Sequence, residues 1–307
     1  MMAQRRDIET AALPRPRGRL IADAPLAPLC WFRTGGRADW LFEPKDEADL
    51  VAFLAGLPKD MPVTMLGLGS NMLIRDLGVP GIVIRLGKAF GQIEVADGQI
   101  RAGGGASMVA VSHAARQAGI SGLEFLRGIP GTIGGGVAMN AGAYGREMAD
   151  CLLSARIATA GAVCLERDAG SFAFSYRHSN IGAGEVVLMA TLEGEPGDPA
   201  KIARHMDEIA AAREASQPLR TRTGGSTFKN PPGRKAWELI EAAGCRGLRI
   251  GAAQVSERHT NFLINLGGAT SQDIEDLGEE IRRRVLETSG ILLEWEIVRI
   301  GRRKERS

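Results

Sequence analysis

Apolar positions along the chain change period several times, and each change marks an element. Residues 46–58, "DEADLVAFLAGLP", repeat apolar residues at helical spacing and predict a helix. Residues 63–86, "VTMLGLGSNMLIRDLGVPGIVIRL", read as strand, glycine loop and strand, after a strand-like "WFRTGGRADWLFEP" broken at Gly35 and Gly36. Asp97-Gly98 lies between two alternating runs, a hairpin signal. Ser107 can cap the helix "MVAVSHAARQAG", which stops at Gly119. Several short strands are expected over about 151–194, then an amphipathic helix in "DPAKIARHMDEIAAAREAS". Beyond the polar "QPLRTRTGG", a domain-boundary signal, come a helix in "RKAWELIEAAG", a strand in "TNFLINLG" and a capped helix from Thr270 to about Ser289. The chain ends on a strand, "ILLEWEIVRIG". The mixed order, rather than regular βαβ alternation, makes α+β the expected class.

Length and composition narrow the functional classes. The 307 residues are 44% apolar, enough for a core of ordinary size, and 38 Lys and Arg against 36 Asp and Glu suggest neither a nucleic-acid nor a membrane binder. The first twenty residues, rich in arginine and proline, lack the apolar core of a secretory signal and read as a mobile leader. A cytoplasmic location and a monomer are the expectation. Cys30, Cys151, Cys164 and Cys245 form no C-x-x-C pair, so free buried thiols and no metal site are expected.

Glycine carries the strongest signal, at 40 residues, roughly twice the usual share. The stretch 125–145, "FLRGIPGTIGGGVAMNAGAYG", holds seven of them. The loop "GLGSNM" has Met72 where a dinucleotide fingerprint needs its third glycine, and the chain carries no P-loop, no H-E-x-x-H and no G-x-S-x-G. Gly67 and Gly69 could form only a tight turn, or could free backbone N–H groups for an anion, with Ser70 and Asn71 adding donors. Two such loops, the second with Asn140 and Tyr144, suit a long flat ligand lying along backbone. "GGGAS" at 103–107 reads as a simple lead into a helix and receives no site role.

Three further segments hold candidate chemistry. In "GGSTFKNP" Ser226 is either a turn residue or a proton donor, since no triad partners accompany it. In "FSYRHS" Arg177 is a surface ion-pair partner or a group that stabilises a developing oxyanion, while His178 is not singled out. On the last strand Leu292, Glu294, Glu296, Val298 and Ile300 would share one face. If that face is buried, desolvation raises a carboxyl pKa and yields a general acid; if it is an edge, both glutamates face water. Periodicity does not choose between Glu294 and Glu296.

Seven segments in this order, "RTGGRADWLFEP", "GLGSNMLIRDLGVPGIVI", "GLEFLRGIPGTIGGGVAMNAGAYG", "FSYRHS", "GGSTFKNP", "GAAQVSERHTNFLIN" and "LEWEIVRIG", resemble the UDP-N-acetylenolpyruvoylglucosamine reductases from about Arg33 to Gly301. The resemblance implies an α+β, two-lobed FAD cradle of the vanillyl-alcohol-oxidase type with a third, substrate-binding domain. The implied division is a leader over 1–20, lobe 1 over 21–88 joined by the strand 290–307, lobe 2 over 89–214 and the substrate domain over 215–289. FAD would meet Gly67, Gly69, Ser70, Asn71, Gly128, Ile129, Pro130, Gly131, Gly134, Gly135, Asn140 and Gly142. NADPH would reduce the flavin, and hydride would then pass to the enolpyruvyl group of UDP-N-acetylglucosamine enolpyruvate. Arg177 and Glu296 would stabilise the enolate-like intermediate and Ser226 would give the proton, directly or relayed by Lys229. Tyr176, Lys229, Asn230, His259 and Asn261 are the implied substrate contacts. Leu68 and Gly136 depart from the family pattern, and the short interval after "YRHS" marks a compact form without an extra tyrosine-bearing lid. An FAD-dependent sugar or alcohol oxidase of the same fold, or a non-catalytic flavin or nucleotide-sugar binder, are the alternatives.

Overall fold

The computed structural model describes residues 13–159 and 161–303, and they form an α+β structure, as expected. One sheet runs in the order Arg19–Pro25, Arg37–Glu43, Val79–Ile84, Val63–Met65, antiparallel at its first pair and parallel at the other two. Alternation buries both faces. Leu41, Val79 and Val83 enter one core, and Phe42, Ile82 and Ile84 enter another, beneath helix α1 (Glu47–Ala55). Asp46 starts α1 by accepting the N–H of Asp49.

Part of the stretch expected to be a mobile leader is packed onto the fold. Residues 1–12 lie outside the described residues, but Leu13 is buried with Phe53 and Leu54, and a strand begins at Arg19. Asp49 draws this segment in: its carboxylate accepts the N–H groups of Arg17, Gly18 and Lys45, which hold it below the usual carboxylate range against the opposing effect of burial.

A second, antiparallel sheet is ordered Cys164–Asp168, Leu152–Ala158, Val186–Glu193, Gln99–Gly103, Ile93–Ala96. Asp97 and Gly98, at φ of 52° and 75°, make the expected two-residue hairpin. Helices α2 (Met108–Gln117) and α3 (Ile133–Met139) bury Val111, Ala115, Ile133 and Val137 against this sheet. Ser107 takes the N-cap position of α2, yet its side chain makes no capping bond. Helix α4 (Pro199–Ser216) packs on the 3-10 turn Glu124–Gly128.

The third sheet, Arg249–Ile250, Ala253–Val255, Leu263–Asn265, packs with α5 (Ala236–Ala242) and α6 (Ser271–Ser289). Thr270 and Asp273 close a capping box on α6. These elements share one core with the first sheet: Leu239, Val255, Leu263, Ile274 and Leu277 lie in the same cluster as Leu41 and Val83.

The last segment differs from the single strand expected of it. Only Val298–Ile300 forms a ladder, parallel to Met72–Ile74. Before it the chain runs beside residues 227–229, with Lys229 N–H donating to Glu294 O and Glu296 N–H to Thr227 O. Because its partner changes from that loop to the separate strand Met72–Ile74, the supposed apolar face does not persist. Leu293 and Ile297 are buried, while Leu292, Glu294 and Val298 are exposed. Trp295 anchors the crossing: its Nε1 donates to Glu279, and its ring lies 5.1 Å from that of Phe228. A Cβ on Gly278 of α6 would stand 2.2 Å from Trp295 Cη2. Gly278→Ala is therefore expected to cost about 1–3 kcal/mol by overpacking, read as a lower midpoint in urea unfolding.

Candidate active site

A cavity of about 1140 Å³ opens among the three sheets, walled by residues 63–72, 128–132, 141–144 and 216–221 and by Arg177, Ser226 and Glu296. Gly67 to Asn71 line it in succession, and among the described residues none of their backbone N–H groups meets an acceptor on the chain. Unpartnered N–H groups in a row form an anion-binding nest. Gly69 makes the turn possible, at φ of 63° with its Cβ position 2.5 Å from Leu29 O. The loop is also pinned from behind by Trp31 N–H, which donates to Gly69 O.

The second glycine cluster divides into two uses. The N–H groups of Ile133 and Gly134 donate to Ala106 O and Gly104 O, both at 2.8 Å, and that of Gly135 to Thr132 Oγ1, so the start of α3 is satisfied within the chain. A Cβ on Gly134 would lie 3.0 Å from Gly104 O, and one on Gly104 only 1.9 Å from Val187 O. Those glycines serve close packing of backbone on backbone. At Gly135 a Cβ would meet only Thr132 Oγ1, at 3.4 Å, and the residue is exposed on the cavity wall. There the missing side chain keeps the cavity open.

Arg177 sits at φ of 56° in a tight turn in which Ser175 and His178 exchange backbone hydrogen bonds. That conformation is costly for a side-chain-bearing residue and marks a position held by its surroundings. Asn140 Nδ2 donates to Ser175 O, and Ser179 Oγ to Ala138 O, tying the turn to α3. The guanidinium donates through Nε to Glu296 Oε1 at 2.9 Å and through Nη2 to Gly142 O at 2.7 Å. Glu296 is positioned by its N–H on Thr227 O and by Asn71 Nδ2, which donates to its carbonyl. Burial pushes the Glu296 carboxyl above the usual range; Arg177 and Lys229 oppose that without cancelling it.

Ser226 lines the same wall, bridged to Phe262, and its hydroxyl has no partner among the described residues. Its neighbour Thr227 is the residue that holds Glu296 N–H, so the serine and the glutamate come from adjoining segments.

Other expected site residues fall in different places. Gly128, Ile129, Pro130, Gly131, Gly134 and Gly142 line the cavity with the loop 67–71. Asn140 does not: it is fully buried, with Oδ1 accepting Ala149 N–H, and caps α3 in the left-handed region at φ of 44°. Asn261 spends both amide atoms on the backbone of Phe228, Asn230 accepts Ala236 N–H, and His259 accepts Asn261 N–H with its ring edge-on to Phe262. Burial lowers the His259 pKa. Lys229 lies 3.5 Å from the exposed Glu294, and Tyr176 stacks under Arg177. None of Tyr176, Lys229, Asn230, His259 and Asn261 lines the cavity. Gly104, Gly105, Thr223 and Arg213 do line it and carried no site expectation. The "GGG" of 103–105 was the available signal for the first two; nothing local marks the others.

Two family models match, one described as UDP-N-acetylenolpyruvoylglucosamine reductase, C-terminal domain, over residues 217–300, the other as FAD binding domain over 38–166. A UDP-N-acetylenolpyruvoylglucosamine reductase of Novosphingobium aromaticivorans is 60% identical over 93% of this chain and 97% of its own length. The chain belongs to the UDP-N-acetylenolpyruvoylglucosamine reductase family. A second reductase of the family, from Parvibaculum lavamentivorans, is 60% identical over 96% of this chain and 95% of its own. The crystal structure of the Thermus caldophilus reductase superposes with a TM-score of 0.81 at 34% identity, over 94% of this chain and all of that one. The oxidase 6-hydroxy-D-nicotine oxidase from Arthrobacter nicotinovorans, at 14% identity and a TM-score of 0.57, covering 91% of this chain and 88% of its own, shares the fold.

The cavity suits the FAD that this family's matched domain binds. The row of free N–H groups at 67–71 fits a pyrophosphate, and the open wall at Gly135 fits a flat ring system. Gly135→Val is expected to leave the fold intact, by circular dichroism, and to lower flavin occupancy after FAD reconstitution about ten-fold or more. Unchanged occupancy would place the flavin elsewhere.

Proposed function

We propose that the chain reduces the enolpyruvyl ether of UDP-N-acetylglucosamine enolpyruvate to UDP-N-acetylmuramate, the step its family performs for peptidoglycan precursors, with FAD resident and NADPH as reductant. The observation that carries this reading is the Arg177–Glu296 pair on the cavity wall beside the free hydroxyl of Ser226. Residues 67–71, 128–131 and Gly135 would hold FAD, which when bound supplies the hydride. Residues 21–88 with 290–307 would form the first FAD lobe, 89–214 the second, and 215–289 the substrate domain. No helix among the described residues is long and apolar enough to cross a membrane. Action in the cytoplasm, as a monomer, is part of the same proposal.

The chain's own groups divide the work as follows. An enolate-like charge developing on the substrate needs a cation that is not already neutralised. While Glu296 is ionised, its hydrogen bond with Arg177 at 2.9 Å spends that cation. A proton on Glu296 releases the guanidinium toward the substrate and makes the carboxyl a donor, and burial favours that protonated form. Ser226 then gives its proton to the carbanionic carbon. A serine hydroxyl is a weak acid, so this transfer requires a strongly basic carbon. Tyr176 and Lys229, near the rim, remain the side chains offered to the sugar nucleotide. The oxidase alternative rests only on shared fold, and a purely binding protein would have no use for a strained, buried ion pair.

Ser226→Ala is expected to leave flavin reduction by NADPH within a few-fold of the parent and to slow reoxidation by the enolpyruvyl substrate about 10²–10⁴-fold, measured by stopped-flow flavin absorbance. Equal losses in both half-reactions would remove the proton-donor role. With protonated Glu296 as the active form, single-turnover reoxidation falls as pH rises through its raised pKa. Glu296→Gln, a fixed neutral amide, should abolish that limb of the profile, while exposed Glu294→Gln should keep it.

A further inference from the structure

Beside the cavity mouth lies a second groove, of about 630 Å³, lined by Ala27, Pro28, Trp31, Arg33, Arg220, Thr221 and Arg222. It shares Trp31, Arg220 and Thr221 with the main cavity, so one ligand can occupy both. All three arginines are exposed, and among the described residues none has a carboxylate partner; Arg33 donates to Pro28 O. Arginines without a carboxylate partner, lining one groove with an indole, are suited to a phosphoryl group attached to a nucleoside.

The groove is built rather than incidental. Arg33 and Arg220 both stand in the left-handed region, at φ of 56° and 65°, where a side-chain-bearing residue persists only under constraint. Buried Asn265 joins the two walls: its N–H donates to Arg222 O at 2.9 Å and its Nδ2 to Phe32 O at 2.8 Å. The walls are closely packed, for a Cβ on Gly224 would lie 2.3 Å from the Phe32 ring. Thr223, 6% exposed and lining the cavity next to Arg222, carries a hydroxyl that is itself buried and has no partner among the described residues. Trp31 in turn is bonded to the nest through Gly69 O.

Resting on the function proposed above, we propose that this arginine groove is a phosphate subsite for the nucleotide portion of a reactant whose other end lies in the main cavity. NADPH differs from NADH by one phosphate on the adenosine ribose, carrying close to two charges. The groove supplies a cationic site for that group away from Ser226 and Glu296. The pyrophosphate of the sugar nucleotide has the same chemistry, and the two sources separate by kinetics.

The test uses flavin-loaded enzyme with Arg220→Gln, Arg222→Gln and the double substitution, steady-state KM being measured with NADPH, NADH and UDP-N-acetylglucosamine enolpyruvate. A rise of about ten-fold or more in KM for NADPH alone, growing in the double variant and matched in the parent by raised ionic strength, assigns the subsite to the adenosine phosphate. A rise for the sugar nucleotide, or for NADPH and NADH alike, assigns it to a pyrophosphate and keeps the proposal. Unchanged KM for all three reactants, or loss of flavin from the double variant, overturns it. Failure here with intact turnover leaves the reductase reading standing; absence of enolpyruvyl reduction in the parent enzyme sinks that reading instead.

Discussion

The hydrogen-bonded ion pair between Arg177 and Glu296 is the constraint on which the site depends. The two residues lie 119 positions apart, one on a turn between the second sheet's strands Cys164–Asp168 and Val186–Glu193, the other on the segment leading into the strand Val298–Ile300. Each side chain is less than one-fifth exposed, so each has lost most of its hydration and relies on the other. Neither is held by the pair alone. Arg177 has Gly142 O and its anchored turn; Glu296 has Thr227 and Asn71 on its backbone. Backbone on both sides fixes the pair in place, and the burial of that place is what raises the carboxyl pKa against the opposing charge of Arg177.

Glycine economy follows from a related demand. The nest at 67–71, the backbone contact between Gly104 and α3, and the open wall at Gly135 are three different solutions to close approach. At Gly104 and Gly134 the neighbour is the protein's own backbone; at Gly135 it is the content of the cavity. A glycine-rich loop therefore does not by itself report a ligand. The space into which the absent Cβ would point decides between the two.

Much of this arrangement was legible in the chain. Amphipathic period and caps placed α1, α4 and α6, and Asp97-Gly98 placed a hairpin, because local interactions suffice for each. The seven ordered segments, through their resemblance, brought Arg177, Ser226 and Glu296 together on paper. What period could not supply was the change of partner along residues 291–300, which sends Leu292 and Glu294 to solvent and Glu296 to the cavity. Nor could it tell that Asn140 and Asn261 spend their amides on backbone, since an asparagine beside a loop reads the same whether it binds a ligand or holds the loop. Arg220 and Arg222 passed as a polar boundary for a similar reason: only the fold sets them opposite Trp31 and Arg33.

The distribution of cores shows how the candidate site is held from two sides. The first and third sheets share one core, which fixes Ser226, Glu296 and the nest at 67–71 in a single body. The second sheet has its own core and meets the first through a smaller cluster with Phe42, Phe53, Phe90 and Val186. Arg177 belongs to the second sheet's side of that divide, so its pair with Glu296 crosses the cavity, while Arg156 and Glu47, at 2.7 Å, join the same two sides elsewhere. Exclusion of water from the pair favours the neutral form of the Glu296 carboxyl, the direction in which its burial already pushes it.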